Sequence, residues 1–269
     1  MDKQIVLEKY KSPEEKLIIS KLFDKIDIVD KTNKVETTDF LNEVELNLVK
    51  KVLNYIKFEN YVLFGGYDNS NRKAVVIYPE KMKEVFEDDG FKYDSLFSVI
   101  RVTNIDEKNT NYNHSVYLGG IIKLGIKREK IGDIIVGDTG ADIIIKKETE
   151  KFLYANLKSL TRFKSADVSV VSVNNIENFE QVFENIKIIT SSLRLDNIVS
   201  ELAKTSRSKA VDILNEERVF VNYVNEMKGT KQVKEKDVIT IRGKGKFILD
   251  EIAGNTKKGN YIIMVKKYA

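Results

Sequence analysis

Four short motifs near the C-terminus decide how this chain is interpreted: RLD at residues 194–196, SRSKA at 206–210, RVFVN at 218–222 and DVITIRGKGKF at 237–247. Apolar residues recur at helical spacing around the first two motifs. The last two alternate apolar and polar residues, which is typical of strands. We therefore expect two short helices followed by a β-hairpin. Every motif carries at least one arginine or lysine, so the module repeatedly presents cations.

The second predicted helix begins with cations. Thr205 or Ser206 can cap it, which places Arg207 and Lys209 in its first turn. The helix dipole disfavours positive charge there. The arrangement becomes favourable if a phosphate binds at the helix start, held by backbone N–H groups and by the two side chains. The alternative is that Arg207 pairs with a nearby surface carboxylate, which would contribute little.

The GKGK run at residues 243–246 adds a third group of cations. Glycines allow the backbone to approach a phosphate closely, and lysines act as point charges. Taken with the two helices, this loop completes a set of predicted RNA contacts: Arg194, Lys204, Ser206, Arg207, Lys209, Asn222, Lys228, Arg242, Lys244 and Lys246.

Charge is distributed unevenly along the chain. Residues 190–269 carry a net charge of +6, while the preceding 189 residues carry −2, for a total of +4. A cationic surplus confined to the last third predicts a domain that binds a polyanion, with nucleic acid as the leading candidate.

Composition excludes several functional classes. The 269 residues contain no cysteine and a single histidine, His114, so thiolate metal sites, cysteine nucleophiles and histidine metal clusters are excluded. No apolar run is long enough for a membrane helix, and no secretory signal is visible, which predicts a cytoplasmic protein. His114 falls at a predicted helix start, where it caps or packs, contacts a phosphate, or acts in catalysis; we favour the first interpretation.

The first 60 residues are predicted to form a helical region. Ser12 and Pro13 suit the start of one helix, and Asn42 with Glu45 forms a capping-box pattern at the start of a second. Two β-rich runs at 61–64 and 73–78 follow and are predicted to pair. Residues 174–192 are interpreted as a link into the last domain, with strand-like character near 186–189.

Between these segments the pattern predicts strands at 96–102, 134–136, 142–145 and 168–173, with helices at 115–124 and 148–160. The resulting β-α-β-β-α-β order is the ferredoxin-like arrangement, which RRM domains share. RRM domains stack bases on aromatic residues of the two central strands, but here those strands offer only Phe97. We therefore predict that this sheet is a scaffold rather than a base reader.

The four C-terminal motifs, taken together, resemble the S4 RNA-binding domain, a family in which two helices and an adjoining hairpin bind structured ribosomal RNA. The resemblance implies an α+β chain with an S4 domain at 190–269. The family usually has glycine two residues before the first valine of the hairpin. Glu217 occupies that position here, and its negative charge affects how closely the turn can approach RNA.

Upstream residues extend the resemblance. TDFL at 38–41, FGG at 64–66, His114 and the segment LGIKREKIGDI at 124–134 occur in the order found in the YlmH-type family of bacterial S4-domain proteins. That resemblance implies an N-terminal helical region at 1–60, a central RRM-like domain at 61–185 and the C-terminal S4 domain. It further implies binding to the large ribosomal subunit carrying peptidyl-tRNA during rescue of stalled translation, and a link to cell division.

Two further expectations complete the interpretation. Lys127, Arg128 and Lys130 form a basic loop that is either a solvated turn or a secondary RNA contact. We see no catalytic set, cofactor motif or metal site, so we expect a non-enzymatic, monomeric RNA-binding protein. The alternatives are an RNA-modifying enzyme or a ribosome-assembly factor that uses the S4 domain for targeting.

Overall fold

A computed structural model describes residues 3–68, 70–103, 112–137, 140–177 and 183–268. These residues form eight α-helices and thirteen strands in three antiparallel sheets. The chain divides into two compact units, Met1–Phe179 and Glu180–Ala269. Within the described ranges, no helix combines the length and apolar character that crossing a membrane requires.

The helices are α1 Lys3–Leu7, α2 Pro13–Thr32, α3 Glu43–Ile56, α4 Lys83–Glu87, α5 His114–Lys123, α6 Glu150–Asn156, α7 Leu195–Ala203 and α8 Arg207–Asn215. The strands are β1 Glu36–Thr37, β2 Tyr61–Phe64, β3 Ala74–Ile77, β4 Phe97–Thr103, β5 Ile131–Val136, β6 Ala141–Lys146, β7 Asp167–Val171, β8 Phe183–Thr190, β9 Val219–Val221, β10 Val224–Asn225, β11 Val238–Ile241, β12 Gly245–Asn255 and β13 Tyr261–Tyr268.

The N-terminal helices begin where their capping residues predict. The Ser12 hydroxyl accepts from the backbone N–H of Glu15 at the start of α2. Asn42 and Glu45 form a reciprocal capping box at the start of α3. The region is not wholly helical, however, because β1 lies between α2 and α3 and pairs with β3.

Strand β3 joins two layers of the first unit, and its side chains alternate between them. Val75 and Ile77 pack among the helices α1 to α3. Ala74 and Val76 face the opposite way and pack against residues of the following sheet, such as Val99. One short strand therefore contributes to two of the three hydrophobic clusters of the unit.

The middle of the chain has the predicted β-α-β-β-α-β order, from β4 to β7. Its four strands are arranged β5-β6-β4-β7, and all neighbours are antiparallel. Helices α5 and α6 cover one face, where Tyr117 and Leu153 pack with Ile100 and Ile143.

The opposite face of this sheet is filled by protein. Phe97 is fully buried, with its ring 5.4 Å from that of Phe40 and 4.7 Å from that of Phe64. Val99 and Ile144 belong to the same buried cluster as Ala74 and Val76 of β3. The one aromatic residue on the central strands is thus buried in a core, in line with the expectation that this sheet does not stack bases.

The second unit is built on a six-stranded sheet in the order β10-β9-β11-β12-β13-β8. Helices α7 and α8 pack on one face through a core that includes Ile198, Leu214 and Val221. The two helices and the hairpin match the sequence prediction, but the sheet is larger. Strand β8, from the segment interpreted as a link, pairs along its whole length with β13.

Candidate nucleic-acid interface

Two arginines of the second unit share one buried carboxylate. Asp196, in the first turn of α7, is 3% exposed. Arg194 donates to it from Nε at 3.2 Å and from Nη2 at 2.8 Å. Arg207, at the start of α8, donates from Nε at 3.2 Å and from Nη2 at 2.9 Å. The packing of α7 against α8 therefore brings together two cations that are thirteen positions apart.

The shared carboxylate remains ionised. Burial alone would raise the pKa of Asp196, but the hydrogen bonds from Arg194 and Arg207 outweigh it and lower that pKa to about 2. One negative charge thus faces two positive charges, which leaves the cluster with a net charge of +1. The Arg194 and Arg207 side chains stay 34% and 54% exposed. They are fixed on their inner side and accessible on their outer side.

The loop that contains Gly229 and Lys231 supports the Arg194–Asp196–Arg207 cluster through backbone hydrogen bonds. The carbonyl of Gly229 accepts the backbone N–H of Asp196 at 3.0 Å, and that of Lys231 accepts Leu195 at 2.8 Å. A Cβ atom at Gly229 would lie 3.0 Å from that of Asp196, closer than side chains normally pack. No local pattern around Gly229 indicates this role.

The start of α8 is electropositive, as predicted. Ser206 caps it by accepting the backbone N–H of Lys209 at 3.3 Å, and its first turn contains no acidic residue. The backbone N–H groups of Arg207 and Ser208 have no acceptor within the described residues. Such open donors beside cations suit an anionic ligand. Arg207 pairs with Asp196.

A second group of cations lies at the hairpin between β11 and β12. Gly243 and Gly245 have φ values of 80° and 127°, which side chains rarely adopt. The glycines are therefore required by the tight turn itself. Lys244 is exposed between them, next to Arg242.

Aromatic rings hold the remaining cations of this group. The Arg242 guanidinium lies 4.9 Å from the centre of the Phe220 ring. The Lys246 ammonium lies 5.2 Å from the Tyr223 ring and 4.3 Å from the Tyr268 ring. Contacts of this kind orient the cations and leave them charged. The two tyrosines are site residues that the sequence interpretation missed.

Asn222 has an internal role. Its φ is 48°, and it forms the turn between β9 and β10. Its side chain donates to Asp237 at 2.8 Å and accepts the backbone N–H of Val238 at 2.9 Å. The side-chain amide of Asn222, which is predicted to contact RNA, therefore already links the turn after β9 to the start of β11.

Glu217 shows why glycine suits its position. Its φ is 56°, in the left-handed region that side chains disfavour. The backbone requirement, rather than space for RNA alone, accounts for a glycine preference there. Lys204 ends α7 in the same conformation, with a φ of 50°, and its side chain is exposed.

Two of the three residues of the predicted secondary RNA contact already form contacts within the first unit. Arg128 donates to the carbonyls of Ile131 at 2.6 Å and Gly132 at 3.1 Å. Burial and the nearby Arg72 lower the pKa of Arg128 to about 10. Lys130 pairs with two carboxylates, those of Asp39 and Glu148. Lys127 alone among the three is exposed.

His114 is the first residue of α5, as predicted, but the capping side chain is that of Asn113. Burial and the neighbouring Arg128 lower the pKa of His114, which favours the neutral ring at neutral pH. Within the described residues, no group of three or more acidic or histidine side chains is arranged to hold a metal ion.

Comparison with known proteins places these features in context. Residues 95–177 match the family model described as "Putative RNA-binding domain in YlmH". The chain is 29% identical over 242 residues to "Ribosome-associated protein quality control protein P2" of Bacillus subtilis, covering 89% of this chain and 90% of that protein. A solved structure, "Cell division protein ylmH from Streptococcus pneumoniae", matches at 23% identity with a TM-score of 0.47, covering 62% of this chain and 98% of that one.

Proposed function

We propose, from the match of residues 95–177 to the family model of the RNA-binding domain in YlmH, that this chain is a non-enzymatic protein that binds structured ribosomal RNA. In this proposal an S4-type domain at 190–269 grips the RNA. The N-terminal region at 1–60 and the RRM-like domain at 61–185 position it.

The arginine pair on Asp196 carries the proposal. Two half-exposed guanidinium groups, fixed by one buried carboxylate, lie beside the open N–H groups at the start of α8. Guanidinium groups bind phosphate oxygens through paired hydrogen bonds, and fixed side chains lose less entropy on binding than free ones. Arg242, Lys244 and Lys246 on the hairpin supply further contacts to the RNA backbone.

The similarity to a ribosome-associated quality control protein supports a ribosomal partner. We infer that the chain binds the large ribosomal subunit carrying peptidyl-tRNA during rescue of stalled translation, in the cytoplasm. A link to cell division, which the resemblance to the YlmH-type family implies, is part of the same proposal.

The test is sedimentation of the purified chain with isolated ribosomal particles. We expect it to pellet with large subunits that carry peptidyl-tRNA and to remain in solution with small subunits. Equal pelleting with both particles, or none with either, contradicts the proposal. A variant in which Arg194 and Arg207 are replaced by glutamine should lose this binding. Its control replaces Lys50 and Lys51, two exposed lysines on α3, by glutamine, which changes the net charge by the same amount.

The competing function is RNA modification. It is tested by incubating ribosomal RNA with the chain and S-adenosylmethionine and mapping the products by mass spectrometry. A new modified base would show that the chain is an enzyme.

A further inference from the structure

The RNA-binding domain of the first unit lacks the surface that such a fold ordinarily uses. In RRM domains, bases stack on the open face of the sheet. Here Phe97 on that face is buried between Phe40 and Phe64. Further along β4, Arg101 forms two hydrogen bonds of 2.8 Å with Asp142. Because protein groups fill this face, contact with RNA requires another surface of the domain.

A basic segment lies on the helical side of the same domain. Lys151, Lys158, Arg162 and Lys164 are all exposed, and no acidic residue occurs between Glu150 and Asp167. Within the described part of the chain, none of these four side chains forms a hydrogen bond or a salt bridge, although the charge of Lys151 helps to lower the pKa of the neighbouring Glu150. This contrasts with Arg101, Lys130 and Lys146, whose charges are used inside the unit.

Aromatic rings are interleaved with these cations. Phe152 and Tyr154 of α6 are 49% and 50% exposed. Lys151 and Tyr154 are three residues apart in α6, which places them on the same side of that helix, and Lys158 follows in the 3₁₀ turn Leu157–Ser159. Exposed aromatic rings beside cations offer faces on which bases can stack.

Buried contacts hold the backbone of this segment in place, so the exposure of its cationic and aromatic side chains does not result from poor packing. Leu153 and Leu157 are fully buried beneath it. Phe163 stacks on Tyr117 with ring centres 5.4 Å apart. The carbonyl of Arg162 accepts the Tyr112 hydroxyl at 2.8 Å. The side chains are thus presented from a fixed backbone.

We infer that this α6 surface binds single-stranded RNA; it consists of Lys151, Phe152, Tyr154, Lys158, Arg162 and Lys164. The cations contact phosphates, and bases stack on the two aromatic rings, the combination that single-strand-binding proteins use. The inference rests on the proposed function and adds a second RNA contact, separate from the arginine pair on Asp196.

The test measures binding of a fluorescent oligouridine RNA to the full-length chain at several salt concentrations. Replacing Lys151 and Lys158 by glutamine should reduce the slope of log affinity against log salt by about 1.4, because each phosphate contact to a single strand contributes about 0.7. Replacing Phe152 and Tyr154 by alanine should weaken binding at least about fivefold, through lost stacking. The Lys50→Gln, Lys51→Gln control should bind like the unaltered chain.

Unchanged oligouridine affinity and salt slope in both α6 variants would overturn the inference. If those variants bind normally while Arg194→Gln with Arg207→Gln loses the large subunit, the inference fails and the proposed function stands. If that arginine variant also binds the large subunit normally, the proposed function fails. Loss of ribosome binding with normal oligouridine binding would indicate an acidic protein partner and also overturn the inference.

Discussion

Asp142 and Asp196 hold arginines in similar ways, yet their surroundings differ in charge. Asp142, on the middle sheet, accepts two hydrogen bonds from Arg101, and Arg101 also pairs with Glu177. One cation there faces two carboxylates. Asp196 reverses the count, because two arginines face one carboxylate.

The exposure of the arginines follows the same division. The Arg101 side chain is 20% exposed, whereas those of Arg194 and Arg207 are 34% and 54% exposed. In the Asp142 cluster, both carboxylates pair with the one arginine, and the cluster stabilises the fold. The second leaves positive charge on its outer side. We propose that the excess of cations over carboxylates at Asp196 favours binding of an anion there, whereas the reverse count at Asp142 does not.

The largest predicted effect separates these two clusters. Asp196→Asn removes the carboxylate charge that pairs with both Arg194 and Arg207. We expect it to lower the free energy of unfolding by about 2 kcal/mol, given the low pKa of Asp196. Ribosomal RNA affinity should fall about tenfold, equivalent to about 1.4 kcal/mol, because the two arginines lose their fixed orientation. Denaturant unfolding and fluorescence anisotropy measure the two quantities.

Asp142→Asn is the matched variant. It should destabilise the chain to a similar extent and leave ribosomal RNA affinity unchanged, since Arg101 is not presented to a ligand. If Asp142→Asn weakens RNA binding as strongly as Asp196→Asn does, the proposed difference in RNA binding between the two clusters is wrong.

A smaller effect concerns the buried Lys146, whose ammonium donates to the Thr38 carbonyl at 3.0 Å. Burial lowers its pKa from 10.5 to about 8. Between these values the unfolded chain binds one proton more than the folded chain, so stability rises with pH across that window. Lys146→Met should remove this rise. At pH 7 it should stabilise the chain by about 1 kcal/mol, after the lost hydrogen bond is subtracted.

Unfolding free energies of both chains at pH 7 and pH 10 test this prediction. The prediction is contradicted if the unfolding free energy of the variant depends on pH in the same way as that of the original chain. A drop in the RNA affinity of the variant would show that Lys146 is not a purely structural residue.

The smallest effect is at Glu217 in the second unit. Glu217→Gly relieves a left-handed backbone, a gain of about 1 kcal/mol that the flexibility of glycine in the unfolded chain partly cancels. Removing the negative charge near the hairpin should also raise RNA affinity by about twofold. Thermal unfolding and anisotropy check both changes. Glu217→Gln serves as control, because it removes the charge and keeps the strain; equal melting temperatures for the two variants would exclude backbone strain.

Much of the fold was predictable because its signals are local. The β-α-β-β-α-β order follows from apolar runs such as residues 142–145, and the caps at Ser12 and Asn42 act within three residues. Strand β1 has only two residues and no apolar pattern, so nothing in its own sequence predicts it. The coverage of Phe97 by Phe40 joins residues 57 positions apart, and no local pattern shows such a contact.

The candidate site divides in the same way. Arg194, Ser206 and Arg207 could be predicted from cations at helix starts. The role of Asp196 could not, because it depends on how α7 packs against α8. Asn222 is a predicted RNA contact, and its positive φ together with its hydrogen bonds to Asp237 and Val238 adds a role in the turn that no local pattern indicates.

The most direct test of the arginine pair is the salt dependence of binding to the large ribosomal subunit. Each phosphate contact to duplex nucleic acid contributes about 0.9 to the slope of log affinity against log salt. Replacing Arg194 and Arg207 by glutamine should therefore reduce that slope by about 1.8, with lower affinity at every salt concentration. An unchanged slope and affinity would contradict the claim that these two arginines bind ribosomal RNA.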